Sequence, residues 1–253
     1  MLSHTNPSPS SAESISPSQI RKYIPRHQSW PYAERDFSRS DETEDDDFYD
    51  QPRYVAHIDD AAIARLTTYF NTEVPRNGRV LDFCTSWHSW YPDDRVAAVQ
   101  SKELEVYGIG MNKPELERNQ LFKNHPGRAP PRLDCATCTV SIDYLNKPVQ
   151  VLSSLRECMN ENGKVHLVIS NRCFPTKAVR IWLELDTEER LQLVGAYLHF
   201  AGWKDIEIVD LCARDKEGKR TTDDNGTVLQ DEGMLSFLRL QHMDPLWAVR
   251  GMK

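Results

Sequence analysis

The chain has 253 residues, with 31 Lys and Arg against 38 Asp and Glu and a formal charge of −7. That balance argues against a nucleic-acid backbone as the main partner, because phosphate binding draws on clustered cations. No apolar run approaches the roughly 20 residues needed to span a bilayer, and at this length one sizeable core is the default reading.

Residues 1–46 are expected to be disordered, and 47–253 to form one domain. Met1 to about Arg39 is rich in Ser and Pro and low in apolar content, so it cannot offset its ordering entropy. It lacks a basic segment followed by an apolar one, so no secretory signal is expected. Arg21, Lys22 and Arg26 leave an organelle transit peptide open, with the cytoplasm as the expected compartment. Ser40–Asp47 is an acidic run that reads as a solvated spacer. Order should begin near Phe48–His57. Asp59–Phe70 has helical spacing, with Ile63, Leu66 and Tyr69 or Phe70 on one face. Pro75–Gly78 is a turn, and a first strand, Arg79–Asp82, ends in a small, hydroxylated, aromatic loop. A second strand, Val106–Gly110, leads to a short polar helix at Glu115–Lys123 and a loop at His125–Pro131. Further strands are predicted at Cys135–Ile142 and Lys164–Ser170. Between them lie a helix at Leu145–Met159 and a turn at Asn162–Gly163. Helices at Thr176–Leu183 and Glu188–Ala201 precede a strand at Ile206–Leu211. Ala213–Glu232 reads as an exposed insertion, and Met234–Leu240 and Leu246–Arg250 as late paired strands.

Strands alternating with helices predict an α/β fold around an open, doubly wound, mostly parallel sheet. Ligands of such sheets sit outside the carboxyl ends of the strands. The loops after Asp82, Gly110, Ile142 and Ser170 should therefore converge on one site. In the first loop, Thr85, Ser86 and Ser89 offer hydroxyls to a carboxylate. Trp87, Trp90 and Tyr91 offer faces to a flat or cationic group, or they are ordinary loop packing. Asp82 either organises that loop or caps a helix. Cys135 and Cys138 lie three apart on a strand, so they point to opposite faces. With no second pair at zinc spacing, they read as structural thiols. No metal site is expected. The six cysteines lie mostly in apolar runs, which suits a reducing compartment.

Several longer stretches carry a resemblance. They are Asp47–Asp59 (Asp-Phe-Tyr-Asp-Gln-Pro-Arg-Tyr-Val-Ala-His-Ile-Asp), Val80–Ser89, Gly108–Asn112 with Glu115 and Leu116, Val140–Leu145 with Lys147 and Pro148, Ser170–Ala178, and Asp244–Val249. Together they resemble the methyltransferase type 11-like proteins, a branch of the class I S-adenosylmethionine-dependent methyltransferases. The resemblance runs from about Asp47 to the C-terminus and is weakest in the charged insertion. It implies a Rossmann-like methyltransferase sheet with an antiparallel C-terminal strand, S-adenosyl-L-methionine as cofactor, and a small-molecule substrate. It implies that Asp82, Thr85, Ser86 and Trp87 underlie the methionine half of the cofactor, and that Gly110, Met111 and Asn112 lie by the ribose. Ser141, Asp143 and Tyr144 would lie near the methyl group, and Tyr49, Arg53 and His57 in a segment capping the pocket. Asn171 and Arg172 would meet substrate. Asp143, Tyr144 and His57 are the catalytic candidates, with His88 a further candidate base.

The chain departs from that family's pattern in three places. The usual Gly-rich first loop is Thr-Ser-Trp-His-Ser here, and the usual acidic residue after the second strand is replaced by Met111-Asn112. Relatives carry a further strand and an adenine-side Asp-Leu-Asn-like motif where this chain has only Asn124–Leu133. The edge strand after the second strand's helix is therefore expected to be missing, and a monomer or weak homodimer is the expected assembly. Three functions follow: a small-molecule methyltransferase, a methyltransferase-fold binding or regulatory protein without transfer activity, and a non-methylating enzyme on the same fold.

Overall fold

Short apolar runs make the centre of one sheet because their residues are buried on both faces. The computed structural model describes residues 15–122, 132–229 and 242–253. Its strands are β1 (Ile20–Lys22), β2 (Gly78–Phe83), β3 (Leu104–Ile109), β4 (Leu133–Thr139), β5 (Met159–Ser170), β6 (Lys204–Asp210) and β7 (Leu246–Met252). They lie in the order β1-β6-β7-β5-β4-β2-β3. β3, β2, β4 and β5 are parallel neighbours. β7 runs antiparallel to both β5 and β6, and β1 antiparallel to β6. Five strands thus share one direction, and the C-terminal strand opposes them. This is the mostly parallel α/β sheet with an antiparallel C-terminal strand expected from the sequence.

Helices cover both faces. α2 (Asp60–Glu73) and α3 (Asp93–Gln100) lie on one side; α5 (Pro148–Cys158), α6 (Arg180–Glu184) and α7 (Thr187–Phe200) lie on the other. Two shorter helices, α1 (Asp45–Phe48) and α4 (Lys113–Arg118), flank the strand ends. Leu66, Tyr69 and Phe70 of α2 pack on one side of the sheet, and Asp59 caps that helix through its side chain. Cys135 and Cys138 fall into the two opposite cores, and both are free thiols. Burial pushes the Cys135 thiol up to about 12, so neither reading as redox pair nor as metal ligand fits.

Residues 15–46, within the segment expected to be disordered, carry ordered structure. Ile20–Lys22 adds a strand to β6, and Phe37 is buried in the core beneath Trp30, their rings 5.8 Å apart and nearly parallel. Tyr23 sits so close to α7 that a Cβ at Gly195 would lie 2.3 Å from its ring. Average composition hid these aromatics, whose burial stabilises order that Ser and Pro alone cannot. Nor is the acidic run a spacer. Lys177, fully buried, lies 3.4 Å from Asp45 and 3.6 Å from Asp41, and it donates to the Thr43 carbonyl at 2.5 Å. Arg39 pairs with Asp45 at 2.8 Å. A buried ammonium needs such partners, and the acid run supplies them.

Other boundaries move as well. Asn162, in the left-handed region at φ 66°, bends β5 from inside, where a turn before the strand was expected. The insertion is tied down by bridges Arg214–Arg220, Thr222–Val228 and Thr227–His242. Among the described residues β3 pairs only with β2, which leaves it at the sheet edge. The expected loop at His125–Pro131, most of the Asn124–Leu133 segment, the expected strand at Met234–Leu240 and residues 1–14 lie outside the described residues. No described helix is long and apolar enough to cross a membrane.

Candidate functional site

The ends of β2, β3, β4 and β5 open into one cavity of about 340 Å³, within the roughly 300–1,000 Å³ of small-molecule clefts. Its backbone is unusual where strands end. Cys84, Trp90 and Val140 all line it with φ between 45° and 57°. For Val140, a β-branched residue, that conformation is strained, and such strain clusters at ligand sites. Gly110 is required by closeness: a Cβ there would lie 2.0 Å from the Thr85 carbonyl oxygen. The loop after β2 can therefore cross directly over the end of β3, where the Thr85 N–H donates to the Ile109 carbonyl at 2.9 Å.

Asp82 is the floor of this loop. It is 3% exposed. Thr85 Oγ1 donates to it at 2.6 Å and Thr137 Oγ1 at 2.9 Å. Tyr91 OH lies 2.6 Å from Thr137 Oγ1, and because that hydroxyl's proton is committed to Asp82, the tyrosine donates. Burial pushes the Asp82 carboxyl up to about 6, against the pull of hydroxyls from Thr85, Ser89 and Thr137. Ser86 Oγ donates to Glu115 at 2.6 Å, and Trp87 Nε1 to the Val55 carbonyl at 3.2 Å.

The segment around Tyr49–His57 caps the cavity, and the start of α4 holds it there. Asn112 Nδ2 donates to the carbonyls of Tyr49 and Asp50 at 2.7 and 2.9 Å. Its Oδ1 accepts the Glu115 N–H, capping α4. Glu115 Oε1 in turn accepts the Arg53 N–H at 2.6 Å. The Asn112 side chain is thus spent on the cap segment, although the residue borders the cavity; Glu115, quoted in the sequence only as part of a matching motif, is the acid at this end. The Arg53 guanidinium lies 4.7 Å from the Phe48 ring and 5.4 Å from the Phe174 ring, a favourable cation–π arrangement. Among the described residues it donates one hydrogen bond, to the Phe48 carbonyl.

Of the residues picked from the sequence, Tyr49, Arg53, His57, Asp82, Thr85, Ser86, Trp87, Gly110, Met111, Asn112, Ser141, Tyr144 and Arg172 all line this one cavity. Asp143 and Asn171 are not on its wall. Asp143 is buried behind Tyr144, with Oδ2 lacking a hydrogen-bond partner among the described residues; burial pushes its carboxyl up to about 7. Asn171 turns away to the Asn225 carbonyl at 3.0 Å. Tyr144 OH accepts the Phe174 N–H at 2.8 Å, leaving its own proton for a ligand; burial holds the phenol above its ordinary value. Burial pulls His57 and His88 below theirs. His88 Nδ1 accepts the Trp90 N–H at 2.9 Å while its ring stacks on Trp90, so the nitrogen a base would use is engaged. Phe174, Cys173, Ile109 and Asp45 line the cavity without having been singled out. Cys173 and Phe174 lay inside the quoted Ser170–Ala178 stretch and Ile109 inside Gly108–Asn112, without a role given to any of them.

Elsewhere Asp59, His242 and Asp244 bring ligand-type atoms within 4.8 Å of one another. Their carboxylates already accept backbone N–H groups and an arginine, so they read as an internal network.

No family model matches the sequence, and no curated protein matches it. Among solved structures, the chain is similar to a SAM-dependent methyltransferase from Archaeoglobus fulgidus at 15% identity, covering 76% of this chain and 92% of that one, with a TM-score of 0.47. It is similar to phosphoethanolamine N-methyltransferase 2 of Haemonchus contortus, a structure with S-adenosyl-L-methionine, at 13% identity and a TM-score of 0.44. There 75% of this chain is covered but only 52% of the other. A S-adenosylmethionine-dependent methyltransferase from Mesorhizobium loti gives 12% identity, 73% and 96% coverage, and a TM-score of 0.43. At TM-scores this low, none of these likenesses assigns a function.

Proposed function

We propose that the chain is an S-adenosylmethionine-dependent methyltransferase acting on a small molecule. The observation that carries this reading is the single cavity at the ends of β2, β3, β4 and β5, with Asp82 and its hydroxyls at the floor and a cap segment above. The residues fit that cofactor's separate parts. Arg53, with guanidinium N–H groups to spare, suits the amino-acid carboxylate. Thr85, Ser86 and Ser141 bring hydroxyls to the same end, and Trp87 and Tyr49 bring ring faces for a sulfonium. Ile109 and Met111, 54% and 51% exposed, offer apolar surface for a base at the end of β3.

The bound cofactor supplies an electrophilic methyl group. What the protein must add is proximity and alignment, which can supply roughly 7–11 kcal/mol of the barrier. Tyr144 is held by the Phe174 N–H and can donate to the acceptor. His57 borders the same cavity and sits edge-on to Phe174 at 5.2 Å, where it holds the cap against the wall. Asp143, a catalytic candidate from its motif, is buried off the cavity wall and does not contact the acceptor.

Among the described residues the adenine end has few polar partners: Asn112 is spent on the cap, and Glu115 is shared with Ser86 and Arg53. Each missing hydrogen bond costs roughly 0.5–1.5 kcal/mol, so affinity in the tens of micromolar is expected. Calorimetric titration with S-adenosylmethionine and S-adenosylhomocysteine tests the reading. Saturable one-to-one binding supports it. No binding by a folded chain would leave a methyltransferase fold without transfer.

A further inference from the structure

Arg172 lies two residues beyond Ser170, the last residue of β5, and borders the cavity. Its mounting is rigid. Nε donates to Asp244 Oδ1 at 2.7 Å. Asp244 is 1% exposed, and its other oxygen accepts the Asp59 N–H at 2.8 Å. Asp59 Oδ2 accepts the Asp244 N–H at 2.5 Å, and Arg65 donates to the Asp244 carbonyl at 2.6 Å. Asp244, whose carboxylate grips Nε, is therefore fixed by one bond to that carboxylate and two to its backbone. Among the described residues neither Nη1 nor Nη2 of Arg172 has a partner, and the side chain is 54% exposed. A guanidinium held by Nε alone keeps its Nη1–Nη2 edge for a second oxyanion, which that planar fork matches in bidentate fashion.

The cavity's own acids do not compete for this edge. Asp45 is taken by Arg39 and Lys177, Glu115 by Ser86 and the Arg53 N–H, and Asp82 by hydroxyls. Two residues on from Arg172 stands a flat wall: Phe174 stacks on Tyr144, with centroids 6.0 Å apart and planes 29° apart. Asn171 ties the neighbouring insertion to this rim through the Asn225 carbonyl.

We propose that Arg172, mounted on Asp244, selects an acceptor that carries an oxyanion, carboxylate or phosphate, beside a flat ring. This rests on the cofactor reading above, because it assigns the second ligand of the same cavity. If Arg172 were only the counter-ion of Asp244, no ligand would depend on its charge.

The test titrates the full chain with benzoate, phenyl phosphate and neutral benzamide, with and without S-adenosylhomocysteine. The expected result is saturable binding of at least one anion, at least tenfold tighter than benzamide. The tighter of the two anions identifies the oxyanion. Arg172→Gln should lose at least tenfold in anion affinity, with its S-adenosylhomocysteine affinity unchanged. Arg172→Lys keeps the charge and the contact to Asp244, guards against misfolding of the first variant, and should recover part of the loss. Equal binding of benzamide and benzoate, undiminished anion binding in Arg172→Gln, or no binding of either anion to the wild type overturns the assignment. Failure of S-adenosylhomocysteine to bind is read in its own titration. It removes the cofactor reading, while the cofactor-free anion titrations still judge Arg172.

Discussion

Asp82, near the end of β2, and Asp143, just beyond β4, are both buried carboxyl groups beside one cavity, yet their surroundings are opposite. Hydroxyls from Thr85 and Thr137 point at Asp82, and its carboxyl is pushed up to about 6. Asp143 Oδ2 has no partner among the described residues, and its carboxyl is pushed up to about 7. Burial is the first cause in both. The hydroxyls around Asp82 oppose it, whereas Asp143 has only its own backbone N–H and the distant pull of Arg190. One site is built to carry a charge at the ligand floor. The other suits a neutral acid at the hinge of a loop, where its carbonyl accepts the Val179 N–H at 2.9 Å.

The strongest way to break that contrast is Asp143→Asn. A carboxyl raised on folding makes the folded state hold its proton longer than the unfolded chain does. Its stability contribution is complete below the unfolded value near 3.8 and is lost as pH rises through about 7. Ionising it in place costs roughly 4 kcal/mol at pH 8, from about three pKa units. Asp143→Asn should therefore raise the melting temperature by an amount that grows from pH 5 to pH 8. A pH-independent effect would mean that Asp143 is paired in solution and that the contrast with Asp82 is false.

Asp82→Ala probes the other half. Losing a hydrogen bond to a charged group costs roughly 1.5–3 kcal/mol, or about tenfold to a hundredfold in S-adenosylhomocysteine affinity. Asp143→Ala should cost less, since that side chain is off the cavity wall. Wild-type affinity should also fall as pH drops through about 6, where Asp82 takes up its proton. Equal affinities for wild type and a folded Asp82→Ala would remove this carboxylate from the site.

Thr137→Val sharpens the comparison at smaller scale. It keeps the shape, removes a donor to Asp82 and strands Tyr91 OH, so a loss of roughly 1–3 kcal/mol is expected. The loss should be larger at pH 8 than at pH 5, because only the ionised carboxylate depends on that donor. Chemical denaturation at both pH values measures it.

The four parallel strands were legible because each is a short apolar run ending in small or polar residues, and strand ends of that kind define the cleft. Most of the cavity wall followed from the loops attached to them. Four things were not legible, for separate physical reasons. Trp30 and Phe37 order the described part of the segment, residues 15–46, but they are diluted by Ser and Pro in any composition average. The acidic run reads as solvated until Lys177, far away in sequence, is found buried against it. Asn112 sits where a ribose contact was expected, and only its geometry shows both ends of the carboxamide committed to α4 and to the cap. Asp143 was placed on the site by its motif; the short helical turn at Ile142–Tyr144 presents Tyr144 to the cavity and Asp143 to the core.

The smallest effect is expected at His57. No side-chain hydrogen bond of His57 exists among the described residues, and burial keeps its imidazole below the ordinary value, so it is neutral at pH 7. A neutral imidazole can accept a proton, and a true general base would contribute roughly 10²–10⁴-fold with an acid limb in the pH–rate profile. Its edge-on contact with Phe174 suggests packing of the cap instead, and methyl transfer to a well-placed acceptor is dominated by alignment. His57→Asn should then slow transfer less than about tenfold, with rates at saturating cofactor flat from pH 5.5 to 8. The measurement belongs in the Asp143→Asn background. There the ionisation near pH 7 is gone, and any remaining limb reports on histidine or on Asp82. A limb abolished by His57→Asn, with a loss of a hundredfold or more, would make His57 the base and shift the catalytic weight from the strand ends to the cap.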